Sequence, residues 1–143
     1  MASVSLKNLD SAKQKSDYCL KTFPENRECL WMAALINIHL GDIEAGKQLI
    51  EKAKEKGYYV DGEIGLRQLV AAYLETKNYK EMLPLYQKLS EINKKEVQYR
   101  ISLMICYKEL RNYQMARQIG LEIIESNPEL KPSIDAFLRT LYQ

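Results

Sequence analysis

The sequence is poor in the residues that most often carry chemistry. It has one histidine, His39, so a histidine-rich metal site is excluded and only one imidazole could act as a base. Its three cysteines, Cys19, Cys29 and Cys106, form no CxxC spacing, which removes zinc knuckles and thioredoxin-like redox motifs. An odd number also argues against a disulfide-stapled secreted domain, and buried, reduced core thiols are the expectation. The six glycines match no GxGxxG, Walker-type loop or nucleophile elbow; Gly57, Gly62 and Gly65 lie in or beside a turn. Charge of one sign is lacking too. With 21 basic against 19 acidic residues the net charge is +2, which supplies no general field for gripping nucleic acid. The most apolar window, Cys29 to Leu40, is shorter than the ~20 residues that cross a bilayer and contains Asn37 and His39. Met1 to Leu6 shows no basic segment followed by an apolar one, so no signal peptide is expected. Together these absences describe a non-enzymatic chain with no cofactor and no metal. No nucleic-acid partner and no membrane insertion by this segment are expected, and the cytoplasm is the expected compartment.

What is present is the balance of a folded protein. Hydrophobic residues make up 46% and charged residues 28% of 143, which fits one domain spanning 1–143. Four segments repeat a pattern of two turn formers and one large apolar residue: Lys7-Asn8-Leu9, Gly41-Asp42-Ile43, Lys77-Asn78-Tyr79 and Arg111-Asn112-Tyr113. Their offsets are 34, 36 and 34 residues. Other positions keep the same phase. Pro24 and Pro128 stand seventeen residues after the first and last turns, where a helix must close; Tyr58 and Lys94 occupy the equivalent places. Five residues after the turns stand Ala12, Gly46, Met82 and Ala116, three of them small enough for close helix contact. Before the turns, the pairs Ala33/Ala34, Leu69/Val70 and Leu103/Met104 are apolar every time.

The segments read as helices from spacing. Leu66, Leu69, Val70 and Tyr73 fall at i, i+3, i+4 and i+7, and Leu103, Met104, Tyr107 and Leu110 repeat that stripe. Ile43, Gly46, Leu49, Ile50 and Ala53 line a second-helix face, with Lys47, Glu51 and Lys54 projecting from the other side. Pro84 sits near the start of a helix and predicts a mild bend. Pro132, Ile134, Phe137, Leu138 and Leu141 continue the phase into a last helix. The expected order is an unpaired second helix over 7–23, repeats over 27–60, 63–96 and 97–130, and a capping helix over 132–143. An unpaired first element suggests an excised piece of a longer protein.

The chain resembles the tetratricopeptide-repeat family over nearly its whole length, through Ala12, Pro24, Leu30, Ala34, Gly41-Asp42, Ala53, Leu66, Tyr73, Asn78-Tyr79, Tyr86, Tyr107, Asn112-Tyr113, Ala116 and Pro128. Met104 stands where the family prefers a small residue, Gly120 where it prefers a large ring, and Arg100 where it prefers an aromatic. The third repeat is therefore expected to pack differently. The resemblance implies an all-α, right-handed α-solenoid of antiparallel helix pairs, whose concave wall is built from first helices. That wall is expected to carry Trp31, Leu35, Ile38 and His39, then Arg67, Ala71 and Leu74, then Ile101, Ile105 and Lys108. Glu28, Ile64, Glu75, Gln98, Glu109, Asp135, Arg139 and Tyr142 extend it. Trp31 is the favoured anchor, with packing inside the solenoid as the alternative. The family's carboxylate clamp needs lysines and asparagines here, and only Arg67 qualifies, so an apolar or helical peptide segment is the expected ligand. The function expected is a protein–protein interaction scaffold. The alternative is a structural or regulatory appendage of a larger enzyme, such as a bacterial membrane-bound one, docking on its own parent chain. A further expectation is a homodimer through the first helix, whose stripe of Leu9, Ala12, Cys19 and Leu20 would lack cover.

Overall fold

A computed structural model describes residues 6–142. The described residues form eight α-helices and no strand: α1 (Leu6–Thr22), α2 (Arg27–His39), α3 (Ile43–Glu55), α4 (Glu63–Leu74), α5 (Tyr79–Ile92), α6 (Val97–Glu109), α7 (Tyr113–Ser126) and α8 (Lys131–Arg139). Short 3-10 turns at Pro128–Leu130 and Thr140–Tyr142 flank α8. The helices fall into two compact units, α1–α4 within Met1–Lys77 and α5–α8 within Asn78–Gln143. In the first unit α2 packs on α1, α3 and α4, and in the second α5, α6, α7 and α8 pack each on the next, contacts that fit a helical repeat. No described helix is long and apolar enough to cross a membrane.

The repeated turns have a physical cause. At Gly41, Lys77 and Arg111 the backbone turns left-handed, with φ of 93°, 55° and 63°. The following residue, Asp42, Asn78 or Asn112, becomes the N-cap of the next helix. In two of the three the closure is a full Schellman motif. The Asp42 amide donates to the Asn37 carbonyl at 2.8 Å and the Asn112 amide to the Tyr107 carbonyl at 2.8 Å, while Gly41 and Arg111 donate to Ile38 and Lys108. The Asp42 and Asn112 side chains then accept from Ala45 and Met115. These two turns thus satisfy the end of one helix and the start of the next. Lys7-Asn8 departs from this pattern: it lies inside α1, with no described helix before it to be closed.

Small side chains sit where helices meet. Ala34, Ala53 and Ala116 are fully buried. A methyl group added at Gly46 would stand 2.5 Å from Ile38 Cγ1 and 3.2 Å from the Ala34 carbonyl, so α3 approaches α2 at backbone distance. In the second unit Gly120 and Met104 exchange roles. The position a Gly120 methyl would take is 3.2 Å from Met104 Sδ and 3.1 Å from Ile134 Cγ2, so the thioether fills the volume that the missing side chain leaves. Arg100 is explained as well. Its guanidinium donates to Ser126 Oγ at 2.9 Å and to Asn127 Oδ1 at 3.1 Å, gripping the carboxyl end of α7 where a cation suits the helix dipole. α5 runs through Pro84 as one helix.

Two expectations require correction. The cysteines are not all free: Cys19 and Cys29 form a disulfide between α1 and α2, with Cα atoms 5.6 Å apart, and Cys106 alone is free and buried. In an antiparallel hairpin, residues equidistant from the turn face each other, and these two stand five positions either side of Pro24. The stripe on α1 is not bare either, because α2 packs against it; Leu9 is buried, and Ala12, Cys19 and Leu20 are half-buried. The segment read for a signal peptide lies, over residues 1–5, outside the described residues.

Candidate functional site

The first unit is organised around α2, which packs against α1, α3 and α4. Its buried residues, Cys29, Leu30, Trp31, Ala33, Ala34, Ile36 and Ile38, cover more than half of the helix circumference, and Met32 and Leu35 on the remainder are half-buried. Such a helix needs cover on more than one side. Here the cover comes from within the chain, and that settles the position of Trp31. The indole is only 4% exposed. It stacks on the Tyr58 ring with centroids 4.8 Å apart and planes 18° from parallel. Its Nε1 donates to Gln68 Oε1 on α4 at 2.8 Å. Trp31 is therefore an internal strut between α2, α4 and the connection that joins α3 to α4, not a surface anchor.

The local sequence places Tyr58 there. Gly57, with φ 93°, closes α3 through another Schellman motif, in which the Tyr58 amide donates to the Ala53 carbonyl at 2.9 Å. Tyr58 is the residue just past that turn, and it occupies the register position where Pro24 and Pro128 stand after other turns of the series. Burial raises its phenol above the usual tyrosine range, with Glu28 adding to the effect. Ile38 is also withdrawn from the expected surface; it is fully buried against Gly46 of α3.

The rest of the expected face divides by unit. In the first unit α4 has two distinct sides. Leu66, Leu69, Val70 and Tyr73 form the inner stripe and are buried. Ile64, Arg67, Ala71 and Leu74 share the outer stripe by register; Ile64 is 77% and Leu74 50% exposed, Arg67 is exposed and Ala71 half-buried. Leu35 and His39 on α2 are half-buried. Glu28 and Glu75 are exposed, and Arg27 donates to Glu28 at 3.1 Å, holding that carboxyl below its ordinary range.

In the second unit Ile101 packs, half-buried, against the core of Leu103, Met104, Ala116, Ile119, Ile123, Ile134 and Leu141. Ile105 is 36% exposed. Lys108 places its ammonium 5.3 Å from the centroid of the Phe137 ring on α8, a cation–π contact that ties it to the fold. Gln98 and Glu109 are exposed. Asp135 pairs with Lys131 at 2.5 Å, and Arg139 Nε donates to the Asp135 carbonyl at 3.3 Å. The side chain of Tyr142 lies outside the described residues.

Sequence reasoning missed Gln68, whose signal was a lone amide beside an apolar stripe, and an open groove of about 530 Å³ between α7 and α8. That groove is lined by Arg117, Leu121, Asp135, Leu138 and Arg139. Comparison with protein-family models, with curated proteins and with solved structures returns no match.

Proposed function

We propose that the chain is a tetratricopeptide-like, right-handed helical solenoid that works as a non-catalytic scaffold, capturing an apolar or helical peptide segment on the outer faces of its first helices. One observation carries the reading. α4 is apolar on two opposite sides, and only one of them is used by the fold. Its inner stripe is buried, while Ile64 and Leu74 present large apolar side chains to solvent beside Arg67. Exposed apolar clusters rimmed by polar residues mark sites of association. An amphipathic helix is the natural ligand, because its own apolar stripe repeats at the same interval. The surface centre therefore moves from Trp31 to α4, with Leu35, His39 and Ala71 at its edge. Ile105 on α6 is the corresponding exposed apolar residue of the second unit.

The test is selection of a random-peptide phage library on the wild-type protein, with counter-selection on Ile64→Asp/Leu74→Asp. The proposal expects enriched peptides with apolar residues at helical spacing, whose affinity falls at least ten-fold on the variant. Peptides that bind both proteins equally, or no enrichment at all, would refute it. A segment of a longer parent chain could occupy the same surface in cis. A competing tethered segment would then weaken capture without changing the residues involved.

A further inference from the structure

The helix that carries the disulfide has α2 as its main neighbour. α1 packs on α2 through Leu9, with Ala12, Cys19 and Leu20 only half-buried. Within that seam the Ser16 hydroxyl is 1% exposed and has no hydrogen-bond partner. A buried, unpaired hydroxyl opposes docking, since it gives up water and gains nothing. The outer side of α1 is polar, with Asp10, Lys13, Gln14 and Asp17 all exposed. Covalent closure therefore adds to a seam that one buried hydroxyl opposes.

The two sulfur-bearing residues are placed unequally. Cys29 is 3% exposed and is the third residue of α2, its amide capped by the Asn26 side chain at 2.9 Å. Cys19 is the more accessible, at half-burial. We infer that Cys19–Cys29 is an exchangeable thiol–disulfide site for low-molecular-weight thiols and disulfides of the glutathione class, and that its redox state sets whether α1 stays seated on α2. In the reducing direction an external thiolate attacks Cys19 Sγ. The Cys19–Cys29 bond breaks, a mixed disulfide forms on Cys19, and Cys29 departs as a thiolate at the amino end of α2, where the helix dipole favours negative charge. A second external thiolate attacks the sulfur of the first and releases Cys19. The net change is two external thiols oxidised to one disulfide and two cysteines reduced, with two electrons and two protons transferred. Oxidation by glutathione disulfide is the reverse.

The consequence lies on α2. Ala33 and Ile36 share the Cys29 side of that helix by register, and they are 2% and 9% exposed with α1 in place. Release of α1 would bare this apolar stripe. The redox site does not depend on the proposed ligand face of α4.

Hydrogen exchange with mass spectrometry on the full chain tests the inference, in glutathione disulfide and in excess reduced glutathione. Alkylation after denaturation should label one cysteine in the first buffer and three in the second. Amides of 6–22 should exchange at least ten-fold faster in the reduced protein, while those of α7 remain unchanged. Three labelled cysteines after glutathione disulfide would overturn the inference, as would equal exchange of α1 in both buffers. Cys19→Ser should match the reduced wild type in either buffer; slow exchange of α1 in that variant also contradicts it. The wild-type comparison stands by itself should the variant fail to fold.

Discussion

Single residues carry much of the specificity of this fold, and several can be tested one at a time. Gly120→Ala forces a methyl group against Ile134, Leu138 and Met104. That crowding opposes the ~0.5–1 kcal/mol that alanine gains over glycine within a helix, so the substitution should fall short of that stabilisation. In a Met104→Ala background the same change should be more favourable by at least about 1 kcal/mol, because the thioether that blocks it is gone. Chemical denaturation of the four proteins measures the coupling. Ser16→Ala removes a buried hydroxyl that makes no bond, so it should stabilise the chain by about 1 kcal/mol, seen as a raised denaturation midpoint.

The buried Cys106 thiol gives a pH dependence. Burial, with a smaller contribution from Glu109, pushes it from 9.0 to about 11. The unfolded thiol loses its proton first as pH rises, so this stability is whole below pH 9 and is lost as pH climbs through 11. The loss is on the order of 2 kcal/mol. The phenols of Tyr58, Tyr79 and Tyr86 are also raised by burial and act in the same direction. Urea midpoints at pH 8, 10 and 11 should fall in sequence, and Cys106→Ala should flatten the first part of that fall.

At the scale of helices, the turns were the legible feature and the covering of α2 was not. Gly41-Asp42, Lys77-Asn78 and Arg111-Asn112 announce themselves because one backbone device, a left-handed residue followed by an N-cap, ends one helix and opens the next. Lys7-Asn8 carries the same letters without that role, and α1 runs straight through it. The apolar window from Cys29 to Leu40 marked α2 as a helix with more than one side to cover. It could not show whether the chain or a partner supplies the cover, because that depends on Tyr58 and Gln68 reaching back from later in the sequence. Gln68→Met tests this element directly. It keeps the side chain's length and leaves the Trp31 indole N–H without its acceptor, which should cost about 1–3 kcal/mol. The disulfide escaped for a related reason. The symmetry of Cys19 and Cys29 about Pro24 means something only once α1 and α2 are known to form a hairpin.

On the scale of the whole molecule, the sequence read well as a series of helices and less well as a surface. The described chain is all-helical, as the spacing of its apolar residues implied, although α1 runs through letters that close a helix elsewhere; the outer stripe of α4 was among the expected residues. Trp31 and Ile38 were placed on the wrong side because helix periodicity identifies faces without saying which face meets a neighbour. Gly46 draws α3 against Ile38, and Gln68 draws α4 against Trp31. What remains on the outside is therefore defined by subtraction, and on α4 it is Ile64, Arg67, Ala71 and Leu74.

The division of α4 into a face that holds the protein together and a face that is free to bind can be measured by paired substitutions. Thermal unfolding and peptide titration would be recorded for Ile64→Asp/Leu74→Asp and for Leu69→Ala. The outer pair should leave the unfolding midpoint within about 2 °C of wild type while abolishing capture of library-selected peptides, whereas Leu69→Ala should cost about 2–5 kcal/mol of stability. An outer pair that unfolds the chain, or one that still binds those peptides at wild-type affinity, would contradict the assignment.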